Sequence, residues 1–183
     1  MPGKVLLHIC CGPCGIHPLE TLRREGFEVQ GFFFNPHIQP FQEHERRKQA
    51  VRQMAQAAAL PVTYADDYDL EGWLRMVVFR EKDRCPFCSE LRLAETARQD
   101  KSRGFDCFSS TLLYSKYQDH DRIHAQGEAL AREHKLSFLY RDFREGWKHG
   151  IEVSKEMGLY RQGYCGCIFS ERDRYDQSRR SGR

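Results

Sequence analysis

Along the chain, short apolar runs alternate with longer stretches in which apolar positions recur at helical spacing, the signature of strands followed by helices. Residues 4–9 (KVLLHI) form an apolar run that ends at cysteine, glycine and proline, as a buried strand does where it enters a loop. Leu19 and Leu22 suit a helix over 16–24, with Gly26 as its stop. Residues 28–34, rich in Val and Phe, read as a second strand closed by Asn35-Pro36. Glu, Arg, Lys, Gln and Ala dominate residues 43–59 and Pro61 follows, so this is the clearest helix. The remaining pattern predicts strands over 61–65, 105–109 and 137–140, and helices over 69–79, 89–103, 119–133 and 147–157.

Strands that alternate with helices must run parallel and be joined by crossovers. The expected fold class is therefore α/β, a single three-layer domain over 1–170 with a mainly parallel sheet, followed by a basic, flexible tail over 171–183. In open sheets of this kind ligands bind beyond the C-terminal strand ends, where the strand order reverses. Cys10 and Cys11 fall at such an edge, as do Ser109, Ser110 and Thr111 after the fourth strand and Asp142 after the fifth.

Composition narrows the setting. The run before Cys10 is too short for a signal-peptide core, and no stretch approaches the roughly 20 apolar residues of a membrane span. A cytoplasmic protein with no membrane partner is expected, in which thiols stay reduced. The formal net charge of +3 is modest but uneven. Arg172, Arg174, Arg179, Arg180 and Arg183 crowd the tail, and Arg46, Arg47, Lys48 and Arg52 share one expected helix. Such clusters suit a polyanion such as RNA, or simply a solvated face and tail.

Cysteine then becomes the informative residue. Six of the eight form three close pairs, Cys10-Cys11, Cys85-Pro-Phe-Cys88 and Cys165-Gly-Cys167, with Cys14 near the first pair and Cys107 in a strand-like run. The pairs are far apart in sequence, so only the fold can assemble them. Thiolate sulfur is a soft ligand suited to zinc and to iron–sulfur clusters, which commonly take four cysteines. Adjacent Cys10 and Cys11 are awkward for one tetrahedral zinc ion but could bind different irons of a larger cluster. Cys85 and Cys88 stand where a helix begins, and its N-terminal dipole would favour thiolate. Cys165 and Cys167, one glycine apart, could form a strained dithiol–disulfide couple or chelate one metal. Neither G-x-x-x-x-G-K-[ST] nor G-x-G-x-x-G occurs, so a conventional nucleotide site has no support. Histidines such as His8, His37 and His44 are scattered and read as packing or solvent-facing. A zinc-stabilised RNA-binding module and a thiol-disulfide oxidoreductase both remain open on these grounds.

An ordered set of motifs goes further. His8-Ile9-Cys10-Cys11-Gly12-Pro13-Cys14, Phe34-Asn35-Pro36-His37-Ile38-Gln39-Pro40 with Glu45-Arg46-Arg47, and Cys85-Pro-Phe-Cys88 come first. Ser110-Thr111-Leu112-Leu113 with Ser115 and Tyr117-Gln118, Asp142-Phe143-Arg144 and Leu159-Tyr160-Arg161-Gln162 running into Tyr164-Cys165-Gly166-Cys167 complete it. Together they resemble the QueH-type epoxyqueuosine reductases over residues 4 to about 170. The resemblance implies an adenine-nucleotide alpha hydrolase-like fold and two-electron reduction of the epoxide of epoxyqueuosine, in the anticodon loop of tRNA, to queuosine. It implies a [4Fe–4S] cluster on Cys10, Cys11, Cys85 and Cys88, a second mononuclear metal (iron or zinc), and an external electron donor. Cys165 and Cys167 correspond to a redox-active disulfide or to ligands of the second metal. Asp142 is expected near that metal, with Asp69 as substitute, and Tyr160 or Tyr164 could donate a proton. Arg46, Arg47, Arg161 and Gln162, with Phe33 and Phe41, are the candidates for holding the substrate, although a core role suits the phenylalanines better. Gly12 stands where alanine is more usual in the family, a departure that reads as minor.

Overall fold

Four short strands, β1 (Lys4–His8), β2 (Glu28–Phe33), β3 (Val62–Tyr64) and β4 (Cys107–Ser110), form one parallel sheet in the order β3-β2-β1-β4. This is a computed structural model that describes residues 3–65 and 68–176; Arg179, Arg180 and Arg183 lie outside the described residues. After Lys4, every residue of β1 is buried, as expected of a central strand with both faces covered. His8, its last residue, stands opposite Phe32 of β2 and Ser110 of β4. The expected fifth strand is a single parallel bridge, Phe138 to Phe108, held by two backbone hydrogen bonds. Asp142 caps a 3-10 helix at Phe143–Gly146 soon afterwards, which ends the extended run.

The helices are α1 (Gly12–Arg24), α2 (Phe41–Ala57), α3 (Leu70–Val77), α4 (Arg84–Arg103), α5 (His120–His134), α6 (Trp147–Glu156) and α7 (Ile168–Tyr175). α1 packs against α2 and α6, whereas α4 packs against α5, β1 and β4. Right-handed crossovers explain the division. The chain moves outward from β1 through β2 to β3, then returns to place β4 on the other side of β1, so the helices of the two halves cover opposite faces. The reversal lies between β1 and β4.

Two helices start a full turn or more earlier than the pattern suggested. α1 begins at Gly12 and α4 at Arg84, so Pro13 and Pro86 lie in first turns. Backbone N–H groups there have no intrahelical partner, and proline loses nothing by lacking one. Cys85 and Cys88 thus sit within α4 rather than ahead of it. Gly12 also proves consequential, because a Cβ there would lie 2.5 Å from the Ala50 carbonyl oxygen of α2. α7 runs across the boundary placed at residue 170. Among the described residues no helix is long and apolar enough to cross a membrane.

Candidate active site

The site begins where β1 and β4 end side by side. The Cys10 backbone N–H donates to Thr111 Oγ1 (3.1 Å), and the Thr111 hydroxyl lies 3.3 Å from Cys10 Sγ. Beneath them His8 is fully buried, its Nε2 facing the Phe34 carbonyl oxygen (3.1 Å) and its Nδ1 the Ser110 hydroxyl (2.9 Å). A carbonyl only accepts, so Nε2 carries the proton and Nδ1 accepts from Ser110. Burial, with help from the Arg92 charge, lowers the His8 pKa to about 3. His8 is therefore a neutral brace between strands, in keeping with a packing role.

Cys11 leads into α1, and Cys14 follows one turn later. The sulfurs of Cys10, Cys11 and Cys14 lie within 4.8 Å of one another, close enough to hold one metal ion. Cys11 and Cys14 are joined as a disulfide, and the Gln162 side-chain amide approaches both, at 2.9 Å from Cys11 Sγ and 3.6 Å from Cys14 Sγ. Cys165 and Cys167, by contrast, are free thiols.

The other two pairs close on this corner. Cys88 and Cys167 pack together with Trp73 and Val77. The Cys10 thiol feels the charge of Cys165, and Cys85 and Cys88 feel both Cys165 and Cys167. All three pairs and Cys14 thus share one neighbourhood, and Cys107 stands apart beside Asp100 and Asp106. Burial pushes the Cys88 thiol up to about 12. The Arg92 charge acts in the opposite direction and favours the thiolate.

The C-G-C loop is held from below by α2 and the segment before it. Arg47 donates to Glu43 (2.7 Å), to the Cys165 carbonyl (2.6 Å) and to the Tyr164 carbonyl (3.0 Å). The Gln39 backbone N–H donates to the Gly166 carbonyl (2.9 Å). A Cβ on Gly166 would lie 3.2 Å from His37 Nε2, so the loop lies directly on that imidazole. Gln118 donates its amide to Cys165 Sγ (3.3 Å) at the exposed side.

Several candidate residues stand elsewhere than the sequence suggested. Arg47 is only 1% exposed and ties down the loop, so its guanidinium does not face a partner in solution. Asp142 is exposed, and both its carboxylate oxygens bind Arg144, which holds its pKa at about 2. Asp69 caps α3 through the Gly72 N–H. Both aspartates serve helix starts, a common use of that side chain. Tyr164 donates its hydroxyl to the Gln39 carbonyl (2.6 Å), and Tyr160 donates to Glu43. Gln162 lies on sulfur, whereas Phe33 is in the core, the role that suited it better. Arg46, Arg161 and Phe41 are exposed. Cys14, Arg92, Thr111 and Gln118 touch the sulfurs without having been assigned a role. For Cys14 a signal existed, since Cys11-x-x-Cys14 repeats the spacing of Cys85 and Cys88.

Buried polar atoms without a hydrogen-bond partner gather around the same corner. Among the described residues they include both ring nitrogens of His37, Trp73 Nε1, Gln39 Nε2, Gln162 Oε1 and Asn35 Oδ1. Native interiors leave few such groups unpaired. The donors among them, Trp73 Nε1, Gln39 Nε2 and one ring nitrogen of His37, beside soft cysteine sulfur fit a sulfide-bearing cluster, whose bridging sulfides accept hydrogen bonds.

Residues 5–173 match the family described as epoxyqueuosine reductase QueH. The chain is 34% identical over 175 residues to an epoxyqueuosine reductase QueH of Dehalococcoides mccartyi, covering 96% of each chain. It is 33% identical to one of Thermotoga maritima, covering 96% of this chain and 94% of that one. Among solved structures it is similar to a predicted subunit of tRNA methyltransferase from Methanocaldococcus jannaschii, with a TM-score of 0.53 and 12% identity, covering 83% of this chain and 75% of that one. The last is a likeness of fold.

Proposed function

The chain belongs to the epoxyqueuosine reductase QueH family, a family of oxidoreductases, and on that premise we propose that it reduces the epoxide of epoxyqueuosine in tRNA to the alkene of queuosine. The reaction consumes two electrons and two protons, and the epoxide oxygen leaves as water. The observation that carries this reading is the convergence of three cysteine pairs and Cys14 where the sheet order reverses.

Cys10, Cys11, Cys85 and Cys88 would hold a [4Fe–4S] cluster, and Cys14 is the donor that Asp142 was expected to be for a mononuclear iron or zinc ion. When bound, the two groups supply single-electron relay and Lewis-acid polarisation of the epoxide oxygen. The Cys11–Cys14 disulfide must first take up two electrons and two protons, because thiolates rather than disulfide sulfurs are ligands. The Cys165 and Cys167 thiols carry two electrons and two protons between them, matching what the epoxide consumes. Their oxidation closes a disulfide, which an external electron donor must reopen. Tyr160 and Tyr164 donate to Glu43 and Gln39 and serve the loop instead.

Substrate capture falls to the exposed rim. Tyr117 is 83% exposed, directly before the Gln118 that touches Cys165. It offers a face on which an unstacked base can lie. Arg46 and Arg161, both exposed, supply phosphate contacts. Anaerobic iron and acid-labile sulfide analysis, paired with an epoxyqueuosine tRNA assay, tests the reading. Iron, sulfide and turnover that is lost in Cys88→Ser are expected. Zinc without iron would instead indicate a zinc-stabilised RNA-binding module, and intact turnover in Cys88→Ser a thiol oxidoreductase.

A further inference from the structure

Two arginines are buried beside the sulfurs, and their charges are balanced differently. Arg47 is paired with Glu43. Arg92, on α4 and 3% exposed, donates Nε to the Cys88 carbonyl (3.0 Å) and Nη2 to Cys88 Sγ (3.2 Å). Among the described residues no carboxylate is in ion-pair contact with Arg92. A guanidinium does not release its proton in a protein, and a buried charge left without a counter-charge is costly. An imidazole is neutral or cationic, so the buried His8 and His37 offer Arg92 no negative charge. Neither supplies the missing anion. Among the described residues, what the guanidinium touches besides the Cys88 carbonyl is sulfur, Cys88 Sγ, in the corner that Cys88 shares with Cys10 and Cys85.

We propose that Arg92 is the built-in counter-charge of an anionic thiolate centre formed at Cys10, Cys85 and Cys88, and that it sets the reduction potential of that centre. The proposal rests on the cluster reading given above. Its geometry is local and rigid, because Cys88 and Arg92 are one helical turn apart and share a face of α4. Adding an electron makes a thiolate-bound cluster more negative, and a fixed cation in a low-dielectric setting favours that reduced state. Arg92 is thus a positioning and tuning residue rather than a catalytic one.

The test uses full-length wild type, Arg92→Lys and Arg92→Gln, reconstituted anaerobically, with iron and acid-labile sulfide quantified and the midpoint potential followed by EPR. A shift of Arg92→Gln to more negative potential, with Arg92→Lys nearer wild type, is expected. An Arg92→Gln protein that matches wild type in both loading and potential overturns the proposal. Loading that fails in Arg92→Gln but survives in Arg92→Lys supports it, because charge is then what the centre requires. Loading that fails in both overturns it, because charge alone does not restore the centre. Wild-type protein without iron and sulfide removes the cluster reading and this proposal with it, an outcome distinct from a loaded protein whose potential does not move.

Discussion

Asp100 of α4 is fully buried, neither carboxylate oxygen has a hydrogen-bond partner, and burial together with Asp106 raises its pKa from 3.8 to about 6. A carboxyl whose pKa is higher folded than unfolded is held protonated by folding, so it costs stability above its folded pKa and nothing below its unfolded one. Asp100→Asn is therefore expected to stabilise the protein by roughly 2–3 kcal/mol at pH 8, at about 1.4 kcal/mol per pKa unit, and by little at pH 3. Urea unfolding at the two pH values checks this. The neighbours Arg46 and Arg47 part company in the same way. Arg47→Met leaves Glu43 buried without its counter-charge, with only the Tyr160 hydroxyl still donating to it, and should cost about 3–5 kcal/mol in a denaturation curve. Arg46→Ala should leave stability unchanged but lower the slope of log K against log salt for tRNA binding by about 1. An unchanged slope would remove Arg46 from the RNA contact.

At the scale of elements, the site depends on two helix starts and one bent loop. α1 can bring Cys11 and Cys14 to the end of β1 because Gly12 lets it approach the Ala50 carbonyl of α2. Gly12→Ala should cost about 1–3 kcal/mol through overpacking, read as a lowered melting temperature. Proline near each start misled the expectation of where α1 and α4 begin, because a breaker inside a helix is neutral in its first turn. The strand expected over 137–140 reduces to one bridge, since Asp142 turns the chain into a 3-10 helix within a few residues. These boundaries are decided by capping and by neighbours, which periodicity does not record.

For the whole molecule, the Cys11–Cys14 disulfide would make metal uptake at the proposed site conditional on reduction. Oxidised protein should take up little iron until a thiol reductant is added, and Cys14→Ser should lower the metal bound per chain; a reductant-independent uptake curve would contradict the ligand set proposed here. Strand and helix alternation, the parallel α/β class and the switch-point position of Cys10 and Cys11 were legible in the sequence alone. Each depends on local periodicity or on the order of elements, and right-handed crossovers leave little freedom once those are set. The sequence also determined which atoms could do chemistry, because three cysteine pairs carry that information by composition and spacing. Tertiary structure alone decided how they are used. It turned Arg47 inward and left Arg46 in solvent, made caps of Asp69 and Asp142, brought Cys14 and Gln162 onto the same sulfurs, and buried Arg92 with no carboxylate partner among the described residues. Long polar side chains have many rotamers, and their partners come from segments distant along the chain, so their direction is settled only when the helices pack on the sheet.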